Sequence, residues 1–324
     1  MNFCAKLFAI WLLFITVGCV KTTRHTAITL QTYDGLSAAQ LIERINSRKA
    51  NELSAGASIT VIDLSKAKEG KVEPYRPADG LIVLQRPEMI RLLVRIPIIK
   101  QNIADMVSNG EKFSIAVYYP EKYRQFLTGS NASSYEDRFS MLMERDPKAA
   151  EFSSFVRIRP QHLTEALLPR PVSIGQSYFV VDRLLEEDEQ ISATKRRRVL
   201  KTYQVLHVLD KGADGQLYLQ REFWFDRTSP SLPLAKLIVY GASGMITSEI
   251  AYKEYKYFED GTYWPRQVVI KRAPDRYAME LNFHSVNRNF QVTELTFRLE
   301  NRENLPFKDL DATSNLSPKA SPDR

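Results

Sequence analysis

Period-two alternation dominates the chain after its first fifty residues. In Ile90–Ile98 (IRLLVRIPI) the even positions Ile90, Leu92, Val94, Ile96 and Ile98 are apolar, whereas the odd positions include Arg91 and Arg95. That pattern describes a strand with one face in a core and the other toward water. Pro97 has no amide donor, so the strand ends there or lies at an edge. Asn109-Gly110 supplies a tight turn. Lys112–Tyr119 then alternates again, with Phe113, Ile115, Val117 and Tyr119 on one side. Residues 199–209 and 216–226 flank Asp210–Gly215, a hairpin signature. Further strands are expected at 234–241 and 245–257 around Gly241–Gly244, and at 263–273, 276–287 and 290–300. Others are expected near 57–64, 79–86 and 176–185. In the strand at 276–287, Met279, Leu281 and Phe283 alternate with Glu280, Asn282 and His284. About eleven strands, punctuated by turn residues, predict a mainly β (α+β) domain whose antiparallel sheet is built largely from sequence neighbours.

Helical periodicity is confined to three places. Ser37 is an N-cap and Gln40 completes a capping box. Ala38, Leu41, Ile42 and Ile45 then share a face opposite Glu43, Arg44 and Arg48, and the helix should stop near Lys49–Ser54. A second helix is expected around Asp137–Glu144. A third begins with Pro160, carries Leu163, Ala166 and Leu167 on its apolar side and ends before Pro169. These three are the elements available to cover an open sheet face. Residues 301–324, with Pro306, Pro318 and Pro322 among Ser, Asn and Asp, read as a disordered tail.

The N-terminus has a different character. Leu7–Val17 (LFAIWLLFITV) follows a single cation, Lys6. As a helix this run is ~16 Å long, about half a bilayer core, which fits the apolar region of an export signal and not a span. It ends Thr16-Val17-Gly18-Cys19, which resembles the bacterial lipobox. The resemblance implies a lipoprotein signal peptide over residues 1–18, lipid transfer to the Cys19 sulfur, and acylation of the new amino terminus. A plain signal peptide or an uncleaved anchor is the alternative. Two or three acyl chains hold a protein firmly to a bilayer, where one does not. Val20 follows the cysteine in place of Asp, which points to the outer membrane. Residues 19–36 then read as the lipidated end and a polar tether.

Composition narrows the chemistry. The 324 residues are 44% apolar and 26% charged, a globular balance, and 45 Lys+Arg against 38 Asp+Glu leave a net charge of +7. That mild excess suits an anionic membrane surface and gives no reason to expect nucleic acid as a partner. Cys4 and Cys19 are the only cysteines. The body therefore has no disulfide framework, Cys-zinc site or thiol nucleophile. Neither cofactor nor metal is expected, because His25, His162, His207 and His284 show no metal-binding spacing. His207 and His284 read as outward strand histidines. Gly241-Ala242-Ser243-Gly244 is not a GxSxG nucleophile elbow and reads as a hairpin turn. Glu186–Glu189 followed by Lys195–Arg198 predicts cross-strand ion pairs, with lipid-headgroup contact as the alternative for the cations.

One stretch carries a family likeness. Gly80-Leu-Ile-Val-Leu84 leads to Arg86-Pro87, Ile90-Arg91-Leu92-Leu93 and Pro97. Asp105-Met-Val-Ser-Asn-Gly110, Tyr119-Pro120 and Gly129 follow, then Trp264-Pro265, Asn289 and Phe297 near the end. Residues 37–300 thereby resemble the LolA/LolB-like lipoprotein carriers. The resemblance implies a single curved sheet forming an incomplete barrel, closed by lid helices around an apolar cavity for acyl chains. In LolB a short exposed loop with an apolar residue engages the membrane. Leu92, Val94, Ile96, Ile115, Val117, Leu281 and Phe283 are the expected cavity lining; alternation alone does not separate a lined cavity from a packed core. Three functions follow. The first is a lipid-anchored envelope protein, facing the periplasm from the outer membrane, that takes acyl chains or lipoprotein lipid as cargo. The second is a structural or assembly lipoprotein that binds another envelope protein. The third is an envelope hydrolase, for which no nucleophile–base pair is visible. Oligomeric state is not legible.

Overall fold

The structure, a computed structural model, describes residues 27–47, 52–64, 72–133, 158–192, 194–259, 263–288 and 290–312. The first half of the chain gives β1 (Ile28–Thr29), α1 (Ala38–Asn46), β2 (Glu52–Asp63), β3 (Glu73–Pro74), β4 (Ala78–Gln85), β5 (Met89–Arg95), β6 (Asn102–Ser108), β7 (Lys112–Val117) and β8 (Gln125–Ser130). After α2 (Pro160–Leu167) come β9 (Ser177–Gln190), β10 (Arg196–Lys211), β11 (Leu217–Asp226), β12 (Leu234–Tyr240), β13 (Ile246–Tyr257), β14 (Tyr263–Arg272), β15 (Tyr277–Asn287) and β16 (Phe307–Asp309). All sixteen strands belong to one sheet, in the order β1-β10-β11-β12-β13-β14-β15-β2-β4-β5-β6-β7-β8-β16, with β3 beside β2 and β9 beside β10. The sheet is curved and open, not closed into a barrel. Strands adjacent in sequence pair antiparallel, and β15 against β2 joins the two runs of hairpins.

The alternation read from sequence sets which face is inward. Ile90, Leu92 and Val94 of β5, Phe113, Ile115 and Val117 of β7, and Met279, Leu281 and Phe283 of β15 all enter one apolar cluster. Leu206 and Val208 of β10, Phe223 and Phe225 of β11, and Ile59 and Val61 of β2 extend it across the sheet. Gly80 is required by a close approach. A Cβ there would sit 2.4 Å from Ile59 Cδ1, so the isoleucine fills the space above β4.

Five sequence expectations are corrected. Ile98 does not face inward: β5 stops at Arg95, and Ile98 lies in the Pro97–Ile99 turn at φ 70°. The proline withholds its donor as expected, and the turn carries Ile98 into solvent. Residues 290–300 form no strand, since Thr293 and Thr296 cap a short 3₁₀ turn over Glu294–Phe297. The strand count rises from about eleven to sixteen, because β6, β8 and the short β1, β3 and β16 escape the pattern. In β6 nearly every residue is buried on both faces, which erases period two. Residues 301–312, assigned to the tail, carry β16, which pairs parallel with β8, and Leu305 packs with Ala116 and Phe126 on the outer face. Part of the tether is likewise docked, with Ile28 and Thr29 parallel to Val199 and Leu200. The helix expected near 137–144, Cys19, His25 and residues 313–324 lie outside the described residues.

Two helices pack on the apolar face. Ser37 caps α1, and its Oγ and the Gln40 side chain close the expected box. Leu41 and Ile45 are buried and Ile42 packs against the same cluster. Arg44 donates to the Ser231 and Leu232 carbonyls at 2.5 and 2.9 Å. Asn46 pairs with the Val172 backbone through both ends of its amide, each at 2.9 Å. Ser37→Ala should therefore lower unfolding stability by about 1 kcal/mol, read as a reduced urea midpoint at constant m-value.

Candidate functional site

The expected lining residues share one surface. Leu92, Val94, Ile115, Val117, Leu281 and Phe283 are buried in the inner apolar cluster, and Ile96 packs half-buried against it. Met106 of β6 lies between Leu92 and Ile115 in register, making a continuous apolar row across three strands. On the far side Trp264 meets Phe283 edge-on at 5.6 Å. Sequence reasoning thus found one face of the sheet, and α1 and α2 are the described helices that lie on it.

A polar latch holds α2. His162, on its first turn, is buried with Nδ1 2.6 Å from the Tyr277 hydroxyl and Nε2 3.8 Å from Asp275. Burial pushes the Tyr277 hydroxyl well above the ordinary tyrosine range. It therefore keeps its proton and donates to Nδ1, which leaves the ring proton on Nε2, toward Asp275. Burial, reinforced by the Arg272 and Arg159 cations, pushes the His162 pKa well below its ordinary value. Arg272 pairs with Asp275, donates to Ser248 Oγ at 2.6 Å and lies 3.5 Å from Glu165 of α2. Ser248 donates to Glu165, and Tyr252 donates to the Ala166 carbonyl at 2.8 Å. One side of α2 is thus bonded to β13, β14 and the start of β15, while Leu163, Ala166 and Leu167 enter the inner cluster. The sequence showed the apolar side of this helix; nothing in it brought His162, Tyr277 and Asp275 together.

Beside the latch lies a polar cavity of about 500 Å³. Glu88, Glu111, Glu165, Arg170 and Arg272 line it, together with Asn131 and the first two turns of α2. Glu88 accepts from Arg170 at 2.5 Å across its mouth. The cavity is separate in character from the apolar face, and its carboxylates are already engaged in part.

The outer face is polar and braced. Arg91 forks onto Asp105 at 3.1 and 2.7 Å and also donates to the Thr296 carbonyl at 3.1 Å, fastening the C-terminal segment over β5 and β6. His284 is exposed, as expected of an outward strand histidine. His207 also points away from the apolar cluster but is buried, stacked on Phe179 at 4.4 Å with Nδ1 3.3 Å from Glu222. Burial lowers its pKa, Arg183 adds to that, and Glu222 opposes it. Glu222 also accepts from Trp224 and Tyr240 at 2.9 and 3.0 Å. The acidic and basic runs meet across β9 and β10, with Arg197 on Glu189 at 2.6 Å and Arg198 on Glu186 at 3.1 Å. Gly241–Gly244 is the β12–β13 turn, closed by a 2.9 Å bond from Gly244 to Gly241. Among the described residues no group of three or more His, Cys, Asp or Glu is placed to hold a metal.

The β5–β6 turn exposes two adjacent isoleucines. Ile98 is 93% and Ile99 66% exposed, on a chain reversal closed by a 3.0 Å bond from Lys100 to Ile96. Lys100 pairs with Asp79 beside it. The strand register places the β12–β13 turn, with Met245 68% exposed, at the same end of the sheet. Scattered exposed apolar residues are ordinary; two adjacent isoleucines at a hairpin tip are not.

The latch has a pH signature. The native state holds His162 neutral, whereas the unfolded chain protonates it near pH 6.5. This contribution to stability is present above pH 6.5 and is lost as pH falls, at up to about 1.4 kcal/mol per pH unit. Unfolding midpoints between pH 7 and 5 should fall steeply for the parent chain and more gently for His162→Gln.

No family model matches this chain, and no curated protein matches it. Solved structures give distant likenesses. A LolA superfamily protein from Nitrosomonas europaea is 12% identical with a TM-score of 0.43, over 82% of this chain and 99% of that one. A DUF1329 family protein from Desulfovibrio piger is 10% identical with a TM-score of 0.45, over 81% of this chain and 95% of that one. At this distance the likeness carries no activity across.

Proposed function

We propose that this protein is a lipid-anchored component of the bacterial cell envelope that receives acyl chains, free or borne by a lipoprotein, against the inner face of its curved sheet. The observation that carries this reading is the unbroken apolar surface running from β10 through β15 and β2 to β7, with two short helices as its described cover. Leu92, Val94, Ile96, Ile115, Val117, Leu281 and Phe283 line the seat of the chain. Cys19 carries the anchor, holding the domain to the outer membrane on its periplasmic side. The Ile98–Ile99 tip meets the lipid surface from which cargo is exchanged, each side chain contributing about 1.5–3 kcal/mol when it leaves water.

Native mass spectrometry of the chain lacking residues 1–19 tests the cargo. The parent should retain adducts of phospholipid or fatty-acid mass, and Ile96→Asp should lose them while its circular dichroism is unchanged. A parent free of lipid mass that captures an envelope protein instead would favour an assembly role. The tip is tested separately. Ile98→Asp with Ile99→Asp should weaken co-sedimentation with anionic vesicles at least tenfold and leave the thermal midpoint in place.

A further inference from the structure

Among the described residues β9 forms an edge of the sheet, and its first half is only lightly guarded. Among those residues it pairs with β10 alone, through fourteen consecutive partners from Ser177 to Gln190 without a bulge. Natural edges are blunted by shortness, proline, bulges or inward charge. The opposite edge obeys this rule, because it is closed by the three residues of β16. β9 obeys it only in part: its first nine residues, SYFVVDRLL, contain no proline or glycine, and Asp182, on the inner face with Tyr178 and Val180, is their one inward charge. Tyr178 and Phe179 are each 47% exposed and Leu184 is 59% exposed, with two of these on the inner face and one on the outer. His207 stacks beneath Phe179 and holds its ring in place.

We propose that β9 is the seam of a symmetric dimer, pairing antiparallel with β9 of a second copy of this chain so that one sheet continues through both. The occupant follows from self-complementarity. A two-fold axis normal to the sheet opposes residues that point to the same face, so the axis passes through a single residue. With Asp182 or Arg183 on the axis, like charges face each other. With Leu184 there, Asp182 opposes Glu186. With Val181 on the axis, Ser177–Leu185 overlap, Phe179 lies under the second copy's arginine at the position of Arg183, and Tyr178 packs on leucine at the position of Leu184. Aromatic–cation and aromatic–aliphatic pairs of this kind are the favourable cross-strand contacts. The acidic run Glu186–Glu189 falls beyond the overlap and opposes no strand residue. With Val180 on the axis the overlap shortens to Ser177–Arg183, and with Leu185 there Asp182 opposes Asp188; Val181 gives the longest overlap free of like charges, with Val180 opposite Asp182 on the inner face.

The chain's own thiol count makes the test clean. Full chain carrying Cys4→Ser and Cys19→Ser has no cysteine left, so one thiol can be placed at will. In mild detergent and a mild oxidant, Val181→Cys should form a covalent dimer at least tenfold faster than Leu184→Cys, because only a residue on the axis meets its own copy. Sedimentation of the thiol-free parent should show a dimer at micromolar concentration, and Arg183→Glu should raise its dissociation constant at least tenfold. Equal cross-linking at positions 181 and 184 overturns the proposal. A parent that sediments as a monomer, with or without a foreign peptide along β9, overturns it as well.

Discussion

An extended sheet with one continuous apolar face cannot leave that face in water. At ~25 cal/mol per Å² of apolar surface, exposing it would cost more than the whole stability of an ordinary domain. Strand twist curls the sheet and brings its halves toward each other, but the sheet stays open. Cover must therefore come from the chain's own helices and from whatever the surface binds. The positions of α1 and α2 and the proposed role for acyl chains both derive from this one requirement.

The cover is fastened by polar groups, and that decides its character. Purely apolar packing would tolerate sliding of α2 over the strands. The bonds among His162, Tyr277, Asp275, Arg272, Ser248 and Glu165 admit a single placement. Buried groups of this kind add little net stability but penalise every alternative in which they lose partners. The same logic holds on the other side of the sheet, where Arg91 is shared between Asp105 and the carbonyl of Thr296. A residue that alternation marks only as outward thus ties down a segment two hundred positions later.

Much of the fold was legible because several of its strands are half-buried. β5, β7, β13, β14 and β15 alternate where expected, β10 lies where its hairpin turn places it although Tyr203–Val208 are buried without a break, the Ser37 cap starts α1 and Pro160 starts α2. Legibility failed where both faces are covered, as in β6, and where a short segment is held by tertiary contacts alone, as in β16 and β1. Of the candidate site, the apolar row was readable, since its members repeat at two-residue spacing. The latch was not. Its residues come from α2, from β13 and β14, and from the β14–β15 turn and the start of β15, and each alone looks like an ordinary surface group. His207 shows the same limit: sequence gives its side of the strand but not the Phe179 ring that buries it.

The N-terminal segment runs along β10 and β11 as a series of single stitches. β1 sits on Val199 and Leu200, Thr32 on Thr202, Tyr33 on Arg227 and Leu36 on Gln204. Stretched out, residues 20–27 would span about 28 Å and residues 20–36 about 60 Å. With the proposed anchor on Cys19, tension would open these stitches one after another, beginning with the two-residue ladder. The leash would then pay out in steps under load, and the body would stand off from the bilayer at graded heights with its helices and sheet intact.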